Sequence, residues 1–376
     1  MDKAGTQNSP YYPNHGDGWE RKTPEEVAMD SGLLQQAVDY STDPAHEGLS
    51  RDLAQVISTH IGGRQHDDGV ILGPTKERGA VTGVVLRHGY LVKEWGEPER
   101  VDMTFSVSKS FITTMAGLAW DRGLIRDIHD RVKNYVDDGG FDSPHNSKIT
   151  WVQMLRQTNE WDGSMWDKHY AAGNPDDELR SPEEPGTVYE YNNVRVNRLA
   201  LALLRVWKRP LPEVLKEEVM DPIAASDTWR WNGYRNSWVT IDGKEMQSVG
   251  GGGHWGGGMW ISARDQARFG YLCLRRGKWK DRQVISEKWL EMASTPGEPL
   301  PVFGFIGGPT YGFMNWMLNT GHKLIPNAPE SSYYHLGWGD NRIWVDPEHD
   351  LVVVLRWMEG EHFDGFASRV LAAVKR

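Results

Sequence analysis

The chain has 376 residues, 39% of them hydrophobic, with a formal net charge of −10. That length covers one large domain or two smaller ones, and the acidic balance argues against nucleic acid or an anionic membrane as a partner. A lone cysteine, Cys273, excludes an internal disulfide framework, and no window carries enough apolar residues to span a bilayer.

Residues 1–22 are polar, rich in Pro, Gly and Asn, and read as an extended arm. They lack the apolar stretch of a signal peptide, so the expected location is the cytoplasm. Thr23-Pro24-Glu25-Glu26 has the form of a capping box with Pro at the first helical position. Helices are expected over 31–40, with Leu33, Leu34 and Val38 on one face, and over 50–60. The stretch 79–94 reads as a hairpin, with Val81, Val84 and Leu86 before a His88-Gly89 turn and Tyr90, Val92 and Trp95 after it. From about 124 to 250 the chain reads as helix and loop with few strand signals. Within it lie a short helix at 149–157, a polar Asp/Glu/Pro-rich loop at 170–186, and strong apolar helices at 192–207 and 211–220. The loop has the composition of a lid and equally of an inert surface loop. Cys273 falls in an apolar helical run with Phe269, Leu272 and Leu274, which marks it as a buried structural thiol. Strand patterns return at 311–317, 333–336, 342–345 and 351–357, and a helix over 363–374 closes the chain.

Strands at both ends with a helical block between them predict an α+β fold. One antiparallel sheet is flanked by helices and assembled from both ends of the chain. The α/β lobe takes about 23–110 and 250–376, and a mostly helical lobe about 111–249. A substrate site is expected in the cleft between them.

Ser106-Val107-Ser108-Lys109 is the chain's Ser-x-x-Lys, and an apolar helical run follows it directly. With Ser106 at the head of that helix, Lys109 stands one turn on, on the same face. The free N–H groups of the helix start then point at whatever the hydroxyl attacks. A lysine base must be neutral, so its pKa has to fall from about 10.4 toward neutrality, through burial and the helix dipole. The bland alternative is a surface serine near a solvated lysine, since about one such match arises by chance in a chain this long. Tyr191-Asn192-Asn193 follows a Pro185-Gly186 turn and opens a helix, unlike the Tyr-x-Asn copies at Tyr12 and Tyr234. His335-Leu336-Gly337-Trp338-Gly339 lies on or just before a strand, unlike the His-x-Gly triplets at His46, His60 and His254. Gly337 would let backbone approach a substrate, with the next N–H as an oxyanion donor. Trp161, Trp166, Trp255 and Trp338 suit an aromatic pocket and core packing equally.

Rival motifs are weak. Gly251-Gly252-Gly253-His254-Trp255-Gly256 matches a dinucleotide fingerprint, but no βαβ pattern surrounds it. There is no Gly-x-Ser-x-Gly elbow and no spaced Cys/His set for a metal. His66-Asp67-Asp68 reads as a solvated loop. No cofactor or metal is therefore expected.

The three motifs, in this order, make the chain resemble the class C β-lactamases, penicillin-binding DD-peptidases and related serine esterases and amidases. The resemblance spans roughly residues 22–376 and includes Pro185-Gly186-Thr187, the run from Gly257 to Asp265, and Asp346-Pro347. It implies a β-lactamase/transpeptidase-like fold. It also implies Ser106 as nucleophile, Lys109 as base, Tyr191 as proton relay, and the N–H groups of Ser106 and Trp338 as the oxyanion hole. Asn193 would orient Lys109 or the substrate, His335 would support Tyr191 or touch the substrate, and Gly337 and Trp161 would border the cleft. Two departures stand out. His335 replaces the lysine usual where a β-lactam carboxylate is bound, and Thr158-Asn159-Glu160-Trp161 replaces a common Thr-Ser-Gly. With no export signal read, the resemblance favours the esterase and amidase branch, which includes 6-aminohexanoate-dimer hydrolase. The expected substrate is a small-molecule ester or amide. The alternatives are a β-lactamase or DD-peptidase, and an acyltransferase or non-catalytic binding relative.

Overall fold

Two segments far apart in the chain share one sheet, since a lone hairpin cannot bury a face of its own. The computed structural model describes residues 10–16, 18–60, 71–173, 180–252, 257–303, 311–317 and 325–375. The N-terminal segment supplies α1 (Ser31–Ser41), α2 (Leu53–His60) and the hairpin β1 (Thr82–Arg87) and β2 (Tyr90–Trp95). β3 (Asp102–Met103) leads to α3 (Ser108–Asp121). The middle of the chain holds α4 (Trp151–Leu155), α5 (Asn193–Trp207), β4 (Arg230–Ile241) and β5 (Lys244–Val249). Then come β6 (Gly258–Ile261), α6 (Ala263–Leu274), β7 (Trp316–Met317), β8 (Tyr333–Gly337), β9 (Asn341–Asp346), β10 (Leu351–Arg356) and α7 (Phe363–Ala373).

The main sheet runs β7-β8-β9-β10-β1-β2 and is antiparallel throughout. The two segments join at β1 and β10, where Thr82 faces Arg356 and Arg87 faces Leu351. This is the α+β architecture expected from the sequence. The β1–β2 turn has positive φ at His88 (55°) and Gly89 (86°), the backbone of a tight two-residue hairpin. β1, β9 and β10 are buried along their whole length, because helices cover both sheet faces. The pleat sorts their side chains. Ile343 and Val352 lie against Gly270 of α6, while Trp344 points the other way, 5.9 Å from the Phe363 ring of α7. α1 packs on α7 in that outer layer. The N-terminal arm caps the sheet edge: Lys22 N donates to Leu91 O (3.2 Å) and Leu91 N to Glu20 O (3.1 Å).

A second sheet runs β3-β6-β4-β5. It corrects the expectation that residues 124–250 are helix and loop, because β4 alone is 12 residues long. The strand escaped notice because its alternation breaks. Pairing with β5 shifts register between Gly233 and Trp238, and Asn232, Gly233, Asn236 and Ser237 carry little β propensity. Residues 311–317 also differ from expectation: only Trp316–Met317 joins the ladder, and Tyr311 contributes a single bridge to Trp316. Among the described residues no helix is long and apolar enough to cross a membrane.

Candidate active site

The chain turns sharply between β3 and α3, and Ser106 sits in that turn. Thr104 prolongs the β3–β6 pairing through N–H donation to Met259 O (2.9 Å). Phe105 then adopts φ 47°, in the left-handed region that costs a non-glycine residue energy. Packing holds it there: its ring meets Trp338 edge-on at 5.2 Å and Trp357 at 6.4 Å. Ser108 ties the turn to β6, donating from Oγ to Phe105 O (2.6 Å) and accepting from Met259 N (2.8 Å). A short 3-10 turn, Phe105–Val107, runs straight into α3 and leaves Ser106 partly exposed.

Lys109 lies beneath it, 1% exposed, with Nζ 2.7 Å from Ser106 Oγ and 3.0 Å from Gly251 O. Burial pushes its pKa down from 10.5 to about 7, and no charged neighbour contributes. An amine so placed is half neutral near pH 7 and able to take a proton. Tyr191 closes the group. Its ring lies 5.0 Å under Lys109 Nζ and stacks on Trp316 (6.0 Å), with Tyr311 edge-on at 6.2 Å. Burial raises the Tyr191 pKa, and hydrogen bonding to the Ser106 side chain works the other way. Ser106 from the turn before α3, Lys109 from α3 and Tyr191 from just before α5 are thus brought together.

β8 reaches the same turn. A Cβ on Gly337 would stand 2.1 Å from Thr104 O and 3.1 Å from Ser106 N, so only glycine allows this approach. Trp338 follows, partly exposed, with its ring against Phe105. His335 behaves differently from expectation. It pairs with Ile343 across the strands and so shares the face covered by α3 and α6. Nδ1 lies 2.8 Å from Ser110 Oγ, the ring lies 5.5 Å from Phe269, and only 4% of the residue is exposed. Burial lowers its pKa to about 3, so the imidazole is neutral at ordinary pH. Its Nδ1 is bonded to Ser110, not Tyr191, so it does not give Tyr191 the support expected of it.

Asn193 is the first residue of α5, half-buried, and its Oδ1 is enclosed without a hydrogen-bond partner among the described residues. Trp161, for which the sequence leaves pocket lining and core packing equally open, is buried, its Nε1 donating to Gly140 O (2.7 Å) and its ring lying beside Arg198. Trp166 sits in a tight hairpin turn at φ 53°, with its Nε1 buried. Trp255, His254 and His66-Asp67-Asp68 lie outside the described residues, as do residues 174–179 of the polar loop. Where the loop resumes, Arg180 joins a buried ion cluster. It bonds Glu160 (2.7 and 3.0 Å) and Glu190 (2.5 Å), and Arg195 bonds the same two carboxylates (2.6 Å each). Glu160, in the segment that departs from the family pattern, is therefore a buried anion joined through Arg180 and Arg195 to Glu190, the residue before Tyr191.

Three supporting groups went unseen in the sequence. Gly251 supplies the carbonyl that holds Lys109, and Gly252 packs on Phe105 O; this is the glycine run that mimics a dinucleotide fingerprint. Gln157 accepts from Asn192 N (2.6 Å) and donates to the Tyr311 hydroxyl (2.9 Å), bracing the backbone beside Tyr191. Arg356, 2% exposed, donates to Met103 O (2.9 Å), Ile261 O (2.9 Å) and Asn341 Oδ1 (2.7 Å), stapling β3, β6 and β9 around the turn. Only the glycine run had a local signal. Among the described residues, Glu359, Glu361 and His362 form a grouping with metal-ligand potential, exposed on the loop before α7 and separate from these groups.

The fold and this constellation define a serine hydrolase of the β-lactamase type. The family model for beta-lactamase matches residues 74–368, and the chain belongs to that family. It is similar to 6-aminohexanoate-dimer hydrolase of Paenarthrobacter ureafaciens, 25% identical over 324 residues that cover 78% of this chain and 77% of the relative. Among solved structures it resembles a family VIII carboxylesterase (TM-score 0.58, 16% identity, 92% of this chain and 98% of that one). It also resembles EstCE1, a hydrolase with promiscuous acyltransferase activity (TM-score 0.57, 17% identity, 92% and 99% covered).

Proposed function

We propose that the protein hydrolyses a small-molecule carboxylic ester or amide through an acyl-enzyme on Ser106. One observation carries this reading: a buried lysine, held near neutrality by burial alone, lies 2.7 Å from a partly exposed serine in a strained turn. Neutral Lys109 takes the Ser106 proton as Oγ attacks the substrate carbonyl. The backbone N–H groups of Ser106 and Trp338 receive the oxyanion, each worth about 3–4 kcal/mol in comparable sites. Tyr191 passes a proton to the leaving alcohol or amine. Water then attacks the acyl-enzyme along the reverse path. Asn193 Oδ1, enclosed and unpartnered among the described residues, is available to a substrate N–H or to Lys109.

His335 in place of a lysine speaks against carboxylate-bearing β-lactams, and it does so more strongly because His335 is neutral and turned toward Ser110. The named relatives, an amide hydrolase and a carboxylesterase, support the ester and amide reading. The test is fluorophosphonate labelling read by intact mass, beside nitrophenyl esters, anilides and a chromogenic cephalosporin. Wild type is expected to label once and to turn over esters or anilides. Labelling that survives Ser106→Ala sinks the nucleophile assignment, and fast cephalosporin turnover with negligible esterase activity moves the function to a β-lactamase.

A further inference from the structure

We infer that Asn197 is a positioning residue for the general base, acting through the backbone of Gly251; this rests on the Ser106–Lys109 reading above. Among the described residues no carboxylate fixes Lys109, and its Nζ has two hydrogen-bonding neighbours, Ser106 Oγ at 2.7 Å and Gly251 O at 3.0 Å. A neutral amine that donates to Gly251 O is turned so that its lone pair faces the serine hydroxyl. The position of that carbonyl therefore sets the aim of the base.

Gly251 is a poor anchor by itself. A Cβ there would stand 2.6 Å from Val196 Cγ1, so close packing on α5 demands glycine, and glycine gives up local restraint. Gly250 and Gly252 flank it and add none. Asn197, one turn into α5 from Asn193, supplies the restraint. It is 2% exposed, and its Oδ1 accepts from Gly251 N (3.1 Å) and from the Tyr234 hydroxyl (3.3 Å). α5 thus bears on the base twice, through Tyr191 at its head and through Asn197 within it. Among the described residues Tyr191 is the titratable group whose ring faces Lys109, and burial is the cause of the lowered Lys109 pKa.

Losing the Asn197 oxygen frees Gly251, misdirects the lone pair, and removes an acceptor that favours the ammonium form. The effect belongs in kcat and in the acid limb of the pH profile, not in KM. The experiment follows acylation by nitrophenyl acetate in single turnover from about pH 5 to about pH 9, with steady-state KM and thermal melting alongside. Asn197→Ala is expected to lower the acylation rate about 10- to 100-fold, the range seen when such supporting partners are removed. KM should stay within about twofold and the acid midpoint should fall. Asn197→Asp keeps an acceptor in place, restores most of the rate, and moves the midpoint upward because its charge favours the ammonium. A folded Asn197→Ala with wild-type rate and midpoint overturns the inference. So do equal losses in both variants at an unmoved midpoint, which indicate packing alone. If Asn197→Ala does not fold, Asn197→Asp decides by whether its midpoint moves. Peptide mapping separates the two levels: acetyl found on a residue other than Ser106 overturns the underlying reading, whereas acetyl on Ser106 with unaffected variants overturns the Asn197 role alone.

Discussion

Lys109→Met is the sharpest physical test of the site, because it converts a catalytic assignment into a stability measurement. The native lysine titrates near 7 and the unfolded one near 10.5, with burial as the cause. Between those values the unfolded chain holds a proton that the native protein lacks. Unfolding takes up a proton there, so native stability rises with pH across the window. At about 1.4 kcal/mol per pH unit, the whole span amounts to about 5 kcal/mol. Below pH 7 the native state carries a buried ammonium and bears that full penalty. Methionine has nearly the same reach and no charge, but it gives up the contacts to Ser106 Oγ and Gly251 O, about 1 kcal/mol each. Lys109→Met should therefore be more stable than wild type by about 3 kcal/mol near pH 6 and less stable by about 1 kcal/mol near pH 10, where the wild-type penalty has not wholly vanished. Urea unfolding of both proteins across this range measures it, and groups far from Lys109 cancel in the difference. A stability difference that stays flat with pH to within about 1 kcal/mol would refute a buried, near-neutral lysine, and with it the base. The same variant should fail to acylate at every pH.

The other predictions concern the groups around this pair. The acid limb of the rate near pH 7 belongs to Lys109, so His335→Gln should leave its midpoint in place, His335 being neutral down to about 3; a midpoint that moves or vanishes reassigns the titration to the histidine. Gly337→Ala forces a methyl to within 2.1 Å of Thr104 O and so pushes β8 off the Ser106 turn. A loss of about 100- to 1000-fold in kcat is expected, as for a lost oxyanion donor, and undiminished turnover speaks against Trp338 N–H in that role. Tyr191→Phe should slow anilides more than nitrophenyl esters, because amines need a proton to leave and nitrophenolate does not; equal losses count against the relay. Glu160→Gln removes a buried anion that pairs with enclosed Arg195 and with partly exposed Arg180, and a cost of about 3–5 kcal/mol in urea unfolding is expected; a cost under about 1 kcal/mol would mean that the cluster adds little.

What could be read from the sequence, and what could not, follows from the range of each interaction. Ser106 and Lys109 are three residues apart, and their meeting follows from helix geometry alone. The His88-Gly89 turn is legible for the same reason. Alternation along β8 shows that His335 and Leu336 face opposite ways, but not which face a helix from another segment will cover. α3 and α6 cover the His335 face, so a residue read as a cleft group is a buried neighbour of Ser110. Trp161 could be read as pocket or core, with no way to choose, for a related reason. Its place in the core depends on Gly140 and Arg198, distant in sequence, and no local pattern encodes that. β4 was hidden by its own bulge. Asn197 and Gln157 act through single hydrogen bonds to backbone far along the chain, the kind of contact that only coordinates reveal.

Two buried cations near the turn show how one physical cause yields opposite roles. Lys109 and Arg356 are both almost wholly enclosed, and among the described residues neither makes a salt bridge; burial lowers both pKa values, to about 7 and about 10. Lysine starts low enough that desolvation brings it to neutrality, where it can accept a proton. Arginine starts so high that the same burial leaves it charged, and its fixed fork of donors satisfies carbonyls on two strands and an asparagine on a third. Exchanging the two residue types would defeat both positions: an arginine at 109 would stay protonated, and a lysine at 356 would tend to lose its charge and could not span three acceptors. The strained turn at Phe105 is held in part by that staple, since Arg356 grips Met103 just before it and Ile261 beside it. Ser106 thus depends on one buried cation that must give up its proton easily and another that must not.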